Sequence, residues 1–485
     1  MGRRGGGLGT PWTVLAAAGA SGALAVDGAG RVATGRHGWL LDWGIQTGGH
    51  GCTPGAAAGL RQRTAGAEGA APVALETVVR TAAGDVSQSV YVCLAPGAGA
   101  GGLGVIEVRN HTSAPVAVTL ALRPGDFWRP DGLWQVEIDG AGALANGAQV
   151  LWWQRPPVGV RLLADAAATP GGPHESPPAP AGWAGGPQRV RSRAGRATAE
   201  FTWPVTHGTA LRVLLPLEDG DAVPPAPAVV PTLAQVGRGW DLHTAEGLRV
   251  AGLPEGRIET LVAAAIRRLL GLDVGPSAGD GPDGRLLPAE RALVATALAV
   301  AGYPQRAAEV ISVRAARNPD SAARLARREA ARITASFGVA PGTVGAMATA
   351  AGPGGGWPGD RGGDDPVLRA AFLLAVGDFL VSQQDGCLDL LAGAGADLAG
   401  SRPPIEVHRL GTGCGVLSFA VRWHDERPAL LWELTPPGTP LESWASVLAG
   451  GGAEARTASA PRLRAAALSE SWSTRRHVGE SLLRT

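Results

Sequence analysis

The chain contains no lysine. That absence excludes a Schiff base to pyridoxal phosphate, a lysine nucleophile and the lysine of a Walker-type phosphate loop. Cysteine is scarce: Cys52, Cys93, Cys387 and Cys414 are widely spaced, with no CxxC pair and no metal-ligand spacing. Free thiols in a reducing compartment are the expectation, with a Cys387–Cys414 bridge as the alternative. No run of about 18 apolar residues occurs, so no membrane span is expected. An excess of one charge sign is missing too, since a net charge of +1 favours neither nucleic acid nor an anionic membrane. There is no HExxH, no GxSxG elbow and no zinc-like cluster, so neither a metal nor another cofactor is expected. Two Tyr and 6 Phe stand beside 15 Trp, a skew that needs a reason. Trp stacks on sugars, but it also fills β-sandwich cores, and many of these Trp lie within apolar runs, which favours the core.

What is abundant is Gly, Pro, Ala and Arg, the mark of a high-GC codon bias, so the arginines are not read as phosphate ligands. A chain of 485 residues has room for two or three domains and a sizeable core. Residues 1–10 read as a disordered Gly/Arg tail. Arg3 and Arg4 followed by Val14–Val26 mimic a signal peptide. Three Gly/Ser residues dilute that run and it merges into strand-like sequence, so a cytoplasmic location is expected, with secretion as the alternative.

Residues 11–222 form a β-rich block. Strand-like runs recur at Thr13–Ala17, Trp39–Trp43, Val73–Arg80, Ser89–Leu94, Val105–Arg109, Val116–Leu122, Leu133–Ile138, Val150–Gln154, Val158–Leu163, Ala199–Trp203 and Leu211–Leu217. Turn residues punctuate them, which predicts an antiparallel β-sandwich, with Pro170–Gly186 as a flexible insertion. A Pro-rich linker is expected over 223–253. Over 254–403 the period becomes helical, at Arg257–Leu272, Pro288–Gly302, Gln305–Arg317, Ser321–Phe337 and Pro366–Ser382. Pro288, Pro304 and Pro366 sit where a helix start tolerates a missing N–H. Short links between these segments suggest helical hairpins.

The block 404–485 opens with the most informative stretch. Val416–Trp423 places Leu417, Phe419 and Val421 on alternate positions; His424–Pro428 is polar or turn-forming; Ala429–Leu434 is apolar again. This predicts a β-hairpin closing off the helices. The remainder reads as a Pro/Gly/Ala/Ser-rich tail and an irregular end with one short strand. The fold class is therefore α+β multidomain.

A β-sandwich, a Pro-rich linker, helical hairpins and a late β-hairpin, in that order, resemble the six-hairpin glycosidase-like enzymes, in particular glucoamylase-like glycoside hydrolases of bacteria. Three short pieces also resemble an uncharacterised group of high-GC bacterial proteins on that plan. They are His37-Gly38-Trp39-Leu40-Leu41-Asp42-Trp43; Glu406-Val407-His408 with Val421–His424 and Arg427–Glu433; and Trp472 with Gly479–Leu483. The resemblance implies a helical (α/α) toroid and α-glycoside hydrolysis by an acid and a base carboxylate, without a cofactor. A full toroid of twelve helices needs on the order of 250 residues. Here five or six helices are expected, a shortened toroid in which an intact carboxylate pair is not assured.

Glycoside hydrolysis needs two carboxylates about 5–5.5 Å or 6.5–9.5 Å apart. Asp360 and Asp364, with Asp365, lie in the glycine-rich loop GGGWPGDRGGDDP beside Trp357, a candidate sugar platform. The competing reading is a solvated loop with Asp364 or Asp365 capping the next helix. Glu406 and His408 share a face of one strand, with Glu406 as acid or base or the two as a structural pair. Trp39 and Asp42 complete the substrate-binding candidates, although the residues favour a buried structural role for Asp42. Two functions stand at this stage: a glucoamylase-type hydrolase, with catalysis retained or lost, and a non-catalytic protein that binds a glycan or another protein.

Overall fold

The computed structural model describes residues 12–20, 22–34, 38–48, 50–57, 59–65, 73–96, 101–125, 132–164, 186–217, 225–226, 229–253, 256–272, 286–311, 317–335, 343–351, 357, 365–384, 386–393, 404–424, 427–450, 462–465 and 472–482. All eleven runs read as strands in the N-terminal block overlap strands that pair antiparallel. They belong to two sheets. The first runs in the order Thr13–Ala16, Ala23–Val26, Val32–Thr34, Trp39–Thr47, Val116–Pro124, Thr198–Val205, Gly159–Leu163, with His50–Cys52 beside Trp39–Thr47. The second runs Gln188–Arg191, Gln135–Ile138, Gly142–Ala145, Ala148–Trp153, Ala210–Pro216, Leu103–Asn110, Gly84–Cys93, Ala74–Thr81, Leu60–Ala65. Leu41, Trp43, Leu120, Phe201 and Trp203 from the first sheet meet Val79, Val90, Ile106 and Val213 from the second in one core. The alternation of apolar and polar positions sets this, because one face of each strand is buried and a one-residue slip would invert it. The Val14–Val26 run, read as a signal-peptide mimic, supplies two strands that pair with each other.

Eight α-helices follow among the described residues: α1 (Leu233–Ala245), α2 (Arg257–Leu270), α3 (Pro288–Val300), α4 (Pro304–Val310), α5 (Pro319–Thr334), α6 (Thr343–Ala350), α7 (Pro366–Leu380) and α8 (Pro440–Gly450). The amphipathic ones fold as their spacing predicts. In α2, Ile258, Leu261, Val262, Ala265 and Leu269 are all buried. Arg267 and Arg268 are buried as well, with Arg267 bonded to Asp241 of α1 at 2.7 Å.

Within 223–253, read as a linker, the chain forms α1 and the strand Arg249–Ala251. The predicted late hairpin is present, with Gly415–His424 paired to Arg427–Thr435, and it is part of something larger. Arg249–Ala251, Ile405–Thr412, the hairpin and Val478–Leu482 form a five-stranded antiparallel sheet. Val407, Leu410, Leu417, Phe419, Val421, Leu430 and Trp432 pack with α2, α3 and α7 into one core. Residues on both sides of position 404 thus share a single core. A bulge between Val407 and Leu410, with Arg409 at φ 59°, keeps both of those side chains on the buried face. A smaller sheet is built from Val381–Gln384, Cys387–Leu390, Arg462–Arg464 and Ser473–Thr474. All four cysteines are free thiols.

One feature of this layout positions the site. The outer face of the second sheet is divided in two. Its apolar half, with Ala74, Tyr91, Leu103, Val105, Trp152 and Leu214, is covered by Val230, Leu233 and Val236. The Tyr91 hydroxyl donates to the Pro231 carbonyl at 3.0 Å, fixing where α1 begins. The polar half is left open beside the first turn of α1.

Candidate functional site

The polar half of that face forms a cavity of about 470 Å³ with Thr232, Leu233 and Ala234 of α1 as one wall. Strand periodicity builds it, because residues two apart share a face. Gly84–Cys93 presents Ser87, Ser89 and Tyr91; Leu103–Asn110 presents Glu107 and Arg109, with His111 just beyond; Glu76 and Arg212 come from the flanking strands. The register aligns one row across five strands: Arg212, Glu107, Ser89, Glu76 and Arg63. Glu76 and Glu107 therefore flank Ser89, their backbones two strand spacings, about 9.5 Å, apart.

Glu107 accepts from Arg109 Nη2 and from Arg212 Nη2, each at 2.8 Å. Burial alone would push its pKa up, but the hydrogen bonds from Arg109 and Arg212 prevail and hold it below the ordinary carboxylate value. Glu76 is ion-paired with Arg63 at the rim. Ser87 Oγ lies 3.0 Å from His111 Nε2. Burial drives the Tyr91 hydroxyl up to about 12, so it stays a neutral donor near pH 7. The groove thus presents fixed donors and acceptors at strand spacing, as recognition of a hydroxyl-rich ligand requires.

Those residues singled out from the sequence that the structure describes lie in three different parts of the fold. Trp357 is 1 % exposed, with Nε1 donating to the Met347 carbonyl at 2.7 Å and its ring centroid 5.0 Å from that of Phe372. The Arg369 guanidinium stands over the ring at 5.9 Å, so Trp357 is a core residue and offers no face to a sugar. Trp39 is 3 % exposed within the sandwich core, which corrects its reading as a binding residue in the same way. Asp42 is on the opposite side of that strand, where Oδ1 accepts from the Trp43 amide at 2.9 Å. Burial pushes its carboxyl up, against the pull of Arg123. Asp360 and Asp364 lie outside the described residues. Asp365 caps α7, accepting from the Val367 amide at 2.8 Å. Glu406 and His408 share the solvent face of the five-stranded sheet, 3.5 Å apart, with Arg422 3.3 Å from Glu406.

No family model matches the chain, and no curated protein matches it. Among solved structures it is similar to one described as "Putative kojibiose phosphorylase from human microbiome". The TM-score is 0.31 at 5% identity, over 74% of this chain and 47% of that one. The chain thus spans about half the length of that protein. No residue role follows from a likeness at this level.

Sequence reasoning missed the groove. Its signal was present as the polar alternation Ser87-x-Ser89-x-Tyr91 and Glu107-x-Arg109-x-His111. Such alternation marks any solvated sheet face; only the placing of α1 turns this face into a cavity.

Proposed function

We propose that the protein binds a carbohydrate in the groove over its second sheet, on a glycoside-hydrolase-like scaffold whose helices form a shortened (α/α) toroid, and that it does not cleave the bound sugar. The observation that carries this reading is the state of Glu107. Acid catalysis of glycoside hydrolysis needs a carboxyl that keeps its proton until the leaving oxygen takes it. Glu107 is held ionised by two arginines, so it accepts hydrogen bonds from a ligand and donates none. Ser87, Ser89 and His111 supply the complementary donors.

The test is a thermal-shift screen of the purified chain against oligosaccharides, followed by calorimetry on any that act. A ligand of the native state at about 100 times its Kd stabilises by about 2.7 kcal/mol. Glu107→Gln should weaken binding by about 10-fold or more, the worth of one charge-assisted hydrogen bond, whereas Glu406→Gln should leave it unchanged. Prolonged incubation should release no reducing sugar. A cooperative melt that no oligosaccharide shifts refutes the carbohydrate reading, and sugar release by the wild-type chain but not by Glu107→Gln refutes the non-catalytic one.

A further inference from the structure

Three guanidinium groups, those of Arg63, Arg109 and Arg212, stand against the carboxylates of Glu76 and Glu107. At the Glu76 end, one carboxylate meets one guanidinium, that of Arg63. At the other end, Arg109 and Arg212 share the single carboxylate of Glu107. Arg212 spends both Nε and Nη2 on it. Arg109 commits only Nη2, and among the described residues its Nε and Nη1 make no other hydrogen bond. Its side chain is 49% exposed. Ser87, paired with Arg109 in the register, and His111, bonded to Ser87, lie at the same end of the cavity.

We propose that the groove selects a sugar bearing an anionic group, with Arg109 as the residue that reads the charge. The inference rests on the carbohydrate reading of the groove. A carboxylate or phosphate ester on the ligand would accept charge-assisted hydrogen bonds from the hydrogens of Arg109 that Glu107 leaves free, those of Nη1 among them. The hydroxyls of the same sugar would meet Ser87, Ser89 and the Glu76 carboxylate. Arg109 leaves the Glu107 pairing intact while doing this, because Arg212 holds the second carboxylate oxygen.

The experiment compares ligands with one backbone and different charge by calorimetry on the full chain. The probes are trigalacturonate and its full methyl ester, and glucose, glucuronate and glucose 6-phosphate. The anionic member of a set should bind at least about 10-fold tighter than its neutral counterpart, and added salt should narrow that ratio. Arg109→Gln should bring the ratio to within about 2-fold by weakening the anionic ligand far more than the methyl ester, a split that a merely structural arginine would not produce. Tight binding of the uronates alone, or of the sugar phosphate alone, supports the proposal and identifies the anion. Equal or tighter binding of the neutral ligands overturns it while the carbohydrate reading stands. Binding of none of the probes, neutral or anionic, overturns both. A charge preference that survives Arg109→Gln overturns the role of Arg109.

Discussion

Trp357 gives the sharpest test of core against site, because its sequence context, a glycine-rich loop with three aspartates, suggests a sugar platform. The structure makes it a pillar between α6 and α7. Its Nε1 donates to Met347 of α6, and its ring packs against Phe372 and beneath Arg369 of α7. Trp357→Ala removes the whole indole from a site that is 1 % exposed. Large-to-small changes of this kind cost about 3–5 kcal/mol, since the surroundings refill the cavity only in part. Trp357→Phe keeps most of the volume and loses the hydrogen bond and the outer ring, for about 1–2 kcal/mol. The Met347 carbonyl retains the Ala351 amide at 3.1 Å, which limits that loss. At roughly 2 °C per kcal/mol for a large cooperative unit, the Ala variant should melt on the order of 5–10 °C lower. Differential scanning calorimetry with and without the best sugar ligand separates the two roles. The melting point should fall, and the sugar-induced increment should be the same in wild type and Trp357→Phe. An Ala variant within about 1 kcal/mol of wild type, or a Phe variant that melts normally but no longer responds to sugar, would refute the core assignment.

Asp42 has a carboxyl pushed up from its reference value of 3.8, chiefly by burial. A carboxyl with a raised folded-state value stabilises the fold most below its unfolded value and loses that contribution as pH rises through the folded one. Asp42→Asn, which keeps an acceptor for the Trp43 amide, should therefore be more stable than wild type near pH 7, with the advantage vanishing below about pH 4 in denaturant titrations across pH. An advantage that is independent of pH would refute this. Gly252 has φ +78°, and a Cβ there would run into the Pro404 carbonyl oxygen. Gly252→Ala should cost about 3 kcal/mol or more, as backbone strain and a clash with the Pro404 backbone combine. Gly239→Ala in α1, where a Cβ meets nothing within 4 Å among the described residues, should instead be neutral or raise the melting point slightly.

Much of the fold was legible because it is written in local periodicity. Period-2 runs became the sandwich strands, helical spacing became α2, α3, α5 and α7, and Leu417, Phe419 and Val421 went to the core face as their alternation requires. Three helices were missed, α1, α6 and α8, two of them although their start signals were present. Thr232 with Gln235 forms the capping box of α1, and Thr439 with Glu442 bonds the first turn of α8. Pro-rich and Gly/Ala-rich neighbours masked both. The turn Asn146-Gly147, with both residues at positive φ, was likewise a readable hairpin signal between Gly142–Ala145 and Ala148–Trp153.

The candidate site was less legible than the fold. Trp and Asp in a glycine-rich loop look the same in sequence whether they bind sugar or fill a core, because burial is a property of what packs around them. Sequence alone determined the secondary-structure periods, the exclusion of lysine chemistry and the absence of a long apolar run. Tertiary structure decided that strands separated by nearly 230 residues, Arg249–Ala251 and Val478–Leu482, join one sheet. It also decided that Glu76, Glu107 and Arg212 align in one row across strands distant in the chain, and that α1 covers one half of that face and leaves the other open. The physical reason is the same in each case. Periodicity tells which face of an element is apolar, whereas a site depends on which element comes to cover that face.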